Sequence, residues 1–372
     1  MSTWMPSTPP WNSCATPQFK GLPVVIGGRR RLVNASDGTQ HDFSRLHDYV
    51  GRDVVTTATY EARAFGVHSG MGLMKAAKLA PDALFLPADF DRYRDYSQRF
   101  KSAVAAIAPR MEDRGIDEIY LDLTDVPGET AELAQRIKTA VTQATGLSCS
   151  IGVTPNKLLS KLASELQKPD GLTVLDHSDI PTRIWPLPAK AINGIGPKAT
   201  AKLEALGIWT IGELVAANRQ RLIETFGERY AGWLIDAAHG RDDRPVVSVR
   251  EPKSISRETT FERDLDPVRD RQALSVILLD LCHRLSGDLV RKGYVGKTIG
   301  VKLRFADFRI VTQDQTLDQP TADPVLIRSA ARNCLKRFVL DRRLRLLGLR
   351  AASLVRDAEN GERSTHRDGR SG

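Results

Sequence analysis

Apolar and polar positions alternate along residues 296–305, most regularly from Val301 to Phe305. Successive side chains of a strand point to opposite faces, so the valine, leucine and phenylalanine of this run would share one face. Lys302 and Arg304 would project from the other face. The pattern predicts a half-buried strand with a basic outer surface.

A helical period is clearest over residues 129–145, where Leu133, Ile137, Ala140 and Val141 share one face. Other predicted helices and short apolar strands alternate with it along the first half of the chain. The strands are predicted over 22–26, 54–58, 119–123 and 149–153, and the other helices over 71–79, 93–108 and 156–166. Such alternation is typical of an α/β or α+β domain.

The pattern changes further along the chain, which predicts an α+β multidomain protein. Short helices broken by glycine fill residues 185–245, and strands mix with helices after them. Residues 29–52 have no clear period and are interpreted as an inserted loop. The predicted divisions are an irregular segment 1–19, domains over 20–180, 181–247 and 248–355, and a disordered tail 356–372.

Positive charge is concentrated in one region. The 372 residues carry a formal net charge of +9. Residues 248–355 hold 21 Lys and Arg against 13 Asp and Glu, a surplus of 8, whereas residues 1–247 hold 29 against 28. This distribution favours a polyanion partner at the C-terminal region, with a basic domain that binds none as the alternative.

The composition, 41% hydrophobic and 27% charged, is typical of a globular protein. No apolar run approaches the roughly 18 residues of a membrane span, and no secretory signal pattern opens the chain. The four cysteines are scattered without paired spacing, which favours reduced thiols over a zinc site or disulfides. A cytoplasmic monomer is expected.

Asp117 and Glu118 stand together just before the apolar run that starts at Ile119. On a regular strand they would point to opposite faces, so both reach one cation only where the strand begins or bends. Mg²⁺ is usually held by one or two carboxylates plus substrate phosphates. A solvated turn before a strand is the alternative for the pair taken alone.

Two further segments carry groups suited to phosphate. A hydroxyl, a phenol and a guanidinium recur at every third position, as Thr57, Tyr60 and Arg63. At a strand-to-helix turn such residues can share a face, where arginine and helix amides bind phosphate oxygens. Lys168, which precedes a proline, would add a fixed positive charge. An ordinary helix start with a solvent-facing arginine is the alternative for the first segment.

Gly194, Ile195 and Gly196 lie between short predicted helices, and Lys198 opens the second of them. Glycine at such a turn lets backbone amides approach a phosphodiester at a helix N-terminus. The segment resembles the helix-hairpin-helix module, which holds the DNA backbone without reading base sequence. A hairpin with a purely structural role is the alternative.

Taken together, the order of these motifs resembles that of the Y-family translesion DNA polymerases, in the DNA polymerase IV branch. The resemblance covers roughly residues 20–355. The matching segments are Thr57–Val67, Gly115–Thr124, Ser150–Val153, Asn156 and Lys157 with Lys168–Gly171, Ile192–Gly196, Lys253–Phe261 and Gly300–Phe308.

The resemblance implies a right-hand polymerase with palm and fingers in 20–180 (fingers about 22–90), a helix-hairpin-helix thumb in 181–247 and a little finger in 248–355. It also implies Mg²⁺, primed template DNA and dNTPs as cofactor and partners. Asp117 would be a metal ligand and Glu118 the adjacent catalytic carboxylate. By the same resemblance, the triphosphate would be bound by Thr57, Tyr60, Arg63 and Lys168, and the DNA backbone by the hairpin residues, Lys302 and Arg304.

The sequence departs from this family at its start. Family members open with a strand that carries another metal-binding aspartate and an aromatic residue that excludes ribonucleotides. Here no Asp or Glu precedes Asp37, which lies in the predicted insert. The expectation is a misplaced chain start or a damaged polymerase, with impaired activity because two-metal catalysis needs carboxylates that bridge both ions.

The predicted function is DNA-directed DNA synthesis on damaged templates, in which the primer 3′-hydroxyl attacks the α-phosphate of a dNTP. A catalytically inactive DNA-binding remnant of the family is the alternative. A helix-hairpin-helix repair nuclease would fit the acidic pair and the hairpin, but not the triphosphate-binding groups. Residues 356–372 contain no Gln- and Leu/Phe-containing clamp peptide, so sliding-clamp recruitment by that route is not expected.

Overall fold

The computed structural model describes residues 19, 21–28 and 44–357, and the backbone alone of residues 2–4. It divides the chain into two compact units, Met1–Val249 and Arg250–Gly372. Most of the predicted insert 29–52, Cys14, and residues 358–372 of the predicted tail lie outside the described residues. No helix of the described part is long and apolar enough to cross a membrane.

Regular elements fill most of both units. The strands are β1 (Ser2–Trp4), β2 (Val24–Gly27), β3 (Val55–Ala58), β4 (Leu84–Leu86), β5 (Met111–Asp113), β6 (Glu118–Leu121), β7 (Ser150–Val153), β8 (Leu172–Val174), β9 (Ser254–Leu265), β10 (Tyr294–Phe305), β11 (Ile310–Thr321) and β12 (Leu344–Arg356). The α-helices are α1 (Tyr60–Ala64), α2 (Leu73–Leu79), α3 (Phe90–Ala105), α4 (Thr130–Thr145), α5 (Lys157–Leu166), α6 (Pro197–Ala205), α7 (Ile211–Val215), α8 (Arg219–Phe226), α9 (Glu228–Ala238), α10 (Arg271–Lys292) and α11 (Pro324–Leu335).

The first unit contains a five-stranded sheet of order β5-β6-β1-β7-β8, in which only the β7–β8 pair is parallel. Helices α3 and α4 cover one face through a core that includes Phe100, Ile119, Ile137 and Ile151. Gly152 faces the other side, where the backbone of α5 comes so close that a Cβ would overlap it. Helix α5 is therefore held directly against the sheet, along β7, β1 and β8.

The middle strand of this sheet corrects one prediction. Residues 1–19 were expected to be irregular, but Ser2–Trp4 form β1 between β6 and β7. Three residues without alternation leave no periodic signal, because the strand is formed by hydrogen bonds to segments far away in sequence. In the register, Trp4 lies opposite Glu118. The remaining residues of 1–19, except Phe19, lie outside the described part.

Two smaller assemblies complete the first unit. A three-stranded sheet of order β3-β2-β4 packs with α1 and α2 around Val25, Val55 and Leu73. Helices α6 to α9 surround a separate apolar core that includes Leu203 and Leu222.

The second unit is a four-stranded antiparallel sheet of order β11-β10-β12-β9. Helices α10 and α11 pack on one face, against Val301, Leu303 and Phe305, which are fully buried as predicted. Lys302 and Arg304 project from the opposite face, also as predicted. The predicted tail starts too early, because Arg356 still belongs to β12 and pairs with Tyr294.

Candidate active site and nucleic-acid interfaces

The acidic pair lies where β6 begins. Asp117 precedes the strand and Glu118 is its first residue, and both side chains are partly exposed. The hairpin from β5 closes through the Arg114 amide, which donates to the Glu118 carbonyl at 3.0 Å. Because Asp117 lies outside the regular strand, strict alternation does not force the two carboxylates to opposite faces. Asp122, beyond the other end of β6, pairs with Arg110 at 3.2 Å.

Helix α5 places Lys161 against Glu118 and Glu165 against Lys161, and neither Lys161 nor Glu165 is among the predicted site residues. Lys161 Nζ lies 3.4 Å from Glu118 Oε2 and 3.4 Å from Glu165 Oε1. Glu165 Oε1 also accepts a hydrogen bond from Lys168 Nζ at 2.6 Å. A chain of alternating charges thus runs from Glu118 to Lys168. The spacing of lysine and glutamate by four residues on one helix was the available signal.

The pKa shifts show that these groups share one environment. Burial raises the pKa of Asp117, and the Glu118 charge raises it further, against the lowering effect of Lys161 and Lys168. Burial lowers the pKa of Lys168 to about 8, with Glu165 opposing and the nearby Arg63 adding to the decrease. The site therefore combines a carboxyl group and an ammonium group that are both poorly hydrated.

Two of the predicted phosphate-binding residues, Tyr60 and Arg63, approach the same place. Burial raises the pKa of Tyr60, and the charge of Arg63 lowers it while that of Glu165 raises it, so the phenol lies near the α5 cluster. The Arg63 guanidinium stacks over the Tyr60 ring at 5.5 Å and its Nε donates to the Ala58 carbonyl at 3.1 Å. Thr57 is buried, and its hydroxyl has no hydrogen-bond partner among the described residues.

The donor set suits one hard cation shared with a substrate. Asp117 and Glu118 supply adjacent carboxylate oxygens, which Mg²⁺ accepts together with phosphate oxygens. A cation there would offset the burial that raises the pKa of Asp117. Among the described residues no cluster of three or more His, Cys, Asp or Glu side chains could hold a metal by itself. Asp117 and Glu118 would therefore need further ligands, such as substrate phosphates, to hold Mg²⁺.

The predicted hairpin forms as a tight turn before α6. Gly194 has φ +115°, and a Cβ there would come within 2.7 Å of the Trp233 ring. The Tyr230 hydroxyl donates to the Gly194 carbonyl at 2.9 Å. The Ile195 side chain is buried, so only its backbone can serve a ligand. Gly196 caps α6 and has open space around it, and the adjacent Lys198 is exposed.

On the outer face of the second unit's sheet, the two predicted cations differ in their partners. Lys302 Nζ lies 2.7 Å from Glu258 Oε2, so its charge is already matched. Arg304 forms no ion pair within the described residues, and its Nε is buried without a hydrogen-bond partner there.

Comparison with known proteins identifies the family. The impB/mucB/samB family model matches residues 11–165, and its C-terminal domain model matches residues 252–365. DNA polymerase IV of Methanoculleus marisnigri is 39% identical over 341 residues, which cover 91% of this chain and 89% of that protein. This chain belongs to the Y-family DNA polymerases, in the DNA polymerase IV branch. DNA polymerase IV of Moorella thermoacetica is 35% identical over 347 residues, covering 91% and 81%.

Solved structures confirm the fold of a right-hand Y-family polymerase. A chimera of Dbh and Dpo4 superposes with a TM-score of 0.78 at 24% identity, covering 95% of this chain and 98% of the chimera. DinB from Sulfolobus solfataricus gives a TM-score of 0.62 at 25% identity, covering 94% and 97%. Family membership makes this chain a DNA-directed DNA polymerase of the translesion type, and Y-family polymerases are generally dependent on divalent metals.

Proposed function

We propose that this chain extends a primer on damaged template DNA by Mg²⁺-dependent nucleotidyl transfer. The primer 3′-hydroxyl attacks the α-phosphate of the incoming dNTP, and pyrophosphate leaves. The main support for this proposal is one partly buried cluster of charged and polar groups. It contains Tyr60, Arg63 and Lys168 together with Asp117 and Glu118. An uncharged or cationic substrate would gain nothing from such a set of cations.

Each group of the cluster has a distinct role in this proposal. Lys168 and Arg63 bind the triphosphate oxygens, and the unpartnered Thr57 hydroxyl donates to one of them. Tyr60 supports the Arg63 guanidinium through its ring. Asp117 and Glu118 hold Mg²⁺, which when bound neutralises charge on the phosphates and lowers the pKa of the attacking hydroxyl.

The DNA is held by two backbone-binding surfaces. We assign palm and fingers to residues 20–180, thumb to 181–247 and little finger to 248–355, and place the hairpin amides and the outer sheet face along phosphates. Solved structures of Dbh DNA polymerase, a structural neighbour, include an insertion ternary complex and a post-insertion binary complex. The charge surplus of 8 in residues 248–355 supports DNA as the partner here.

Nucleotide binding tests the site without depending on turnover. A fluorescent, non-hydrolysable dNTP should bind the complex with primed DNA more tightly when Mg²⁺ is present. K168A and D117N should weaken this binding. D113N is the matched control, because Asp113 lies on the neighbouring strand and pairs with Lys101 at 2.7 Å, outside the cluster. Equal affinity in K168A, D117N and D113N would contradict the assignment.

One observation favours the inactive alternative. The middle strand β1 brings Ser2, Thr3 and Trp4 beside β6, and none of the three carries a carboxylate. If this holds in solution, DNA and dNTP binding persist while primer extension is very slow. The two functions are therefore separated by comparing binding with extension in the same preparation.

A further inference from the structure

Two ion pairs cross the outer face of the second unit's sheet in the same manner. Lys302 on β10 pairs with Glu258 on β9 at 2.7 Å, and Arg350 on β12 pairs with Asp314 on β11 at 2.8 Å. The partners of each pair are two strands apart in one row of the register. Gly348 lies between Lys302 and Glu258.

Glycine makes both crossings possible. Gly300 lies between Arg350 and Asp314 in the register, and a Cβ there would overlap Asp314 Oδ1. A Cβ at Gly348 would lie 3.0 Å from the Glu258 Cβ. Two strand spacings amount to about 9.6 Å, so a side chain in the middle would stand in the path of each pair.

The cations of this face consequently differ in availability. The side chains of Glu258 and Asp314 remain 49% and 43% exposed, so solvent or a ligand can reach both pairs. Arg304, on the same face, has no carboxylate partner within the described residues. A phosphate can bind Arg304 directly, whereas it must displace a carboxylate from Lys302 or Arg350.

We propose that Glu258 and Asp314 limit the DNA affinity of the little finger by competing with phosphates for Lys302 and Arg350. The inference rests on the proposed function, in which this face lies along the DNA backbone. On binding, each cation exchanges a carboxylate for a phosphate oxygen, and the released carboxylate is left facing the polyanion. Because this exchange must occur on binding, it lowers the affinity for DNA and favours rapid dissociation of the DNA.

The test measures binding of the full chain to a fluorescent primed template by anisotropy over a series of salt concentrations. E258Q and D314N should each tighten binding by about two- to fivefold, the factor equivalent to an exposed ion pair. Each freed cation should steepen the slope of log affinity against log salt by roughly 0.9. Two templates of unrelated sequence should give the same gains.

D280N is the matched control. Asp280 is exposed on α10, which packs against the opposite face of the sheet, and it pairs with Arg284 at 3.3 Å. The variant changes net charge by the same amount, but away from the proposed DNA face. Thermal unfolding of all three variants checks that the fold is kept, as expected for exposed pairs.

The loss of DNA affinity in K302A distinguishes the possible outcomes. Competition predicts that K302A weakens binding more in the E258Q background than in the natural chain. In a second outcome, K302A, R304A and R350A each weaken DNA binding, while E258Q and D314N bind DNA with the same affinity as D280N. That result would show that this face binds DNA but that the carboxylates do not compete with phosphates. If none of the three cation variants weakens binding, the DNA face itself is wrong and the inference fails with it.

Discussion

Lys157 Nζ lies 2.7 Å from Glu112 Oε2, and both side chains are buried. Each partner also binds the segment that follows α9. Lys157 Nζ donates to the Pro245 carbonyl at 2.6 Å, and the Val247 amide donates to Glu112 at 3.1 Å. One buried ion pair thus joins β5, the start of α5 and the last residues of the first unit.

Removing one charge of this pair should destabilise the first unit. E112Q leaves the Lys157 ammonium buried without a counter-charge, which costs about 3–5 kcal/mol of unfolding free energy. Chemical denaturation checks this value. D91N is the control, since Asp91 and Arg94 form an exposed pair at 2.5 Å whose loss should cost less than about 1 kcal/mol. A similar loss in both variants would contradict the role of burial.

The same pair makes the stability of the first unit dependent on acid pH. Burial would raise the pKa of Glu112, but the hydrogen bonds from Lys157 and Val247 outweigh it and hold the pKa below its ordinary value. The stability from Glu112 is therefore present above its unfolded pKa and is lost as pH falls through the lower folded pKa. Denaturation at a series of pH values should show a shallower acid loss in E112Q than in the natural chain.

Nucleotide affinity should fall in mild alkali because of Lys168. Burial lowers its pKa to about 8, and a triphosphate binds the protonated form. Binding of the fluorescent dNTP, measured from about pH 7 to about pH 9, should weaken as pH rises through about 8. K168R keeps its charge over this range, so its profile should stay flat. A fall of equal size in K168R would assign the titration to another group.

The two hairpin glycines should respond differently to alanine. G194A places a Cβ against the Trp233 ring at a positive φ, and should lower the unfolding free energy by roughly 1–3 kcal/mol. A Cβ at Gly196 would have no atom within 4 Å, so the melting temperature of G196A should be unchanged. Its DNA affinity should nevertheless drop on every template sequence, since the added methyl group blocks the approach of a phosphate. Unchanged affinity in G196A would remove this turn from the DNA interface.

The inactive alternative predicts that primer extension by the 372-residue chain is very slow. This alternative rests on the strand β1, which lies beside β6 and carries no carboxylate. A chimera with an opening strand that bears an aspartate and an aromatic residue should regain Mg²⁺-dependent extension, because the added carboxylate completes the metal ligands. D117A or E118A should abolish that gain. Equal rates for the natural chain and the chimera would show that another group completes the site.

Elements with strong internal periods could be predicted from the sequence. The helical pattern over 129–145 corresponds to α4, and the alternating run 296–305 lies within β10. The strands β5 and β8, with three residues each, were not predicted. Their stability comes from pairing with distant strands, which a local pattern does not contain.

The types of residue in the candidate site could be named from the sequence, but their pairing could not. Lys161 reaches Glu118 from α5, which packs directly on the sheet at Gly152, and Glu165 reaches Lys161. Likewise, Lys302 and Glu258 are 44 residues apart and meet through the strand order. Such contacts follow from topology, so a sequence can suggest the participants without showing which of them already hold each other.

The buried Thr57 hydroxyl lowers the stability of the fold, although it is proposed to help bind the nucleotide. This hydroxyl has no hydrogen-bond partner among the described residues, and a buried donor left without one costs about 1–3 kcal/mol. Valine has nearly the same shape and no hydroxyl, so selection for stability alone would favour it on β3. A library sorted only for heat resistance should therefore accumulate Thr57→Val, and its members should be the ones that lose the nucleotide.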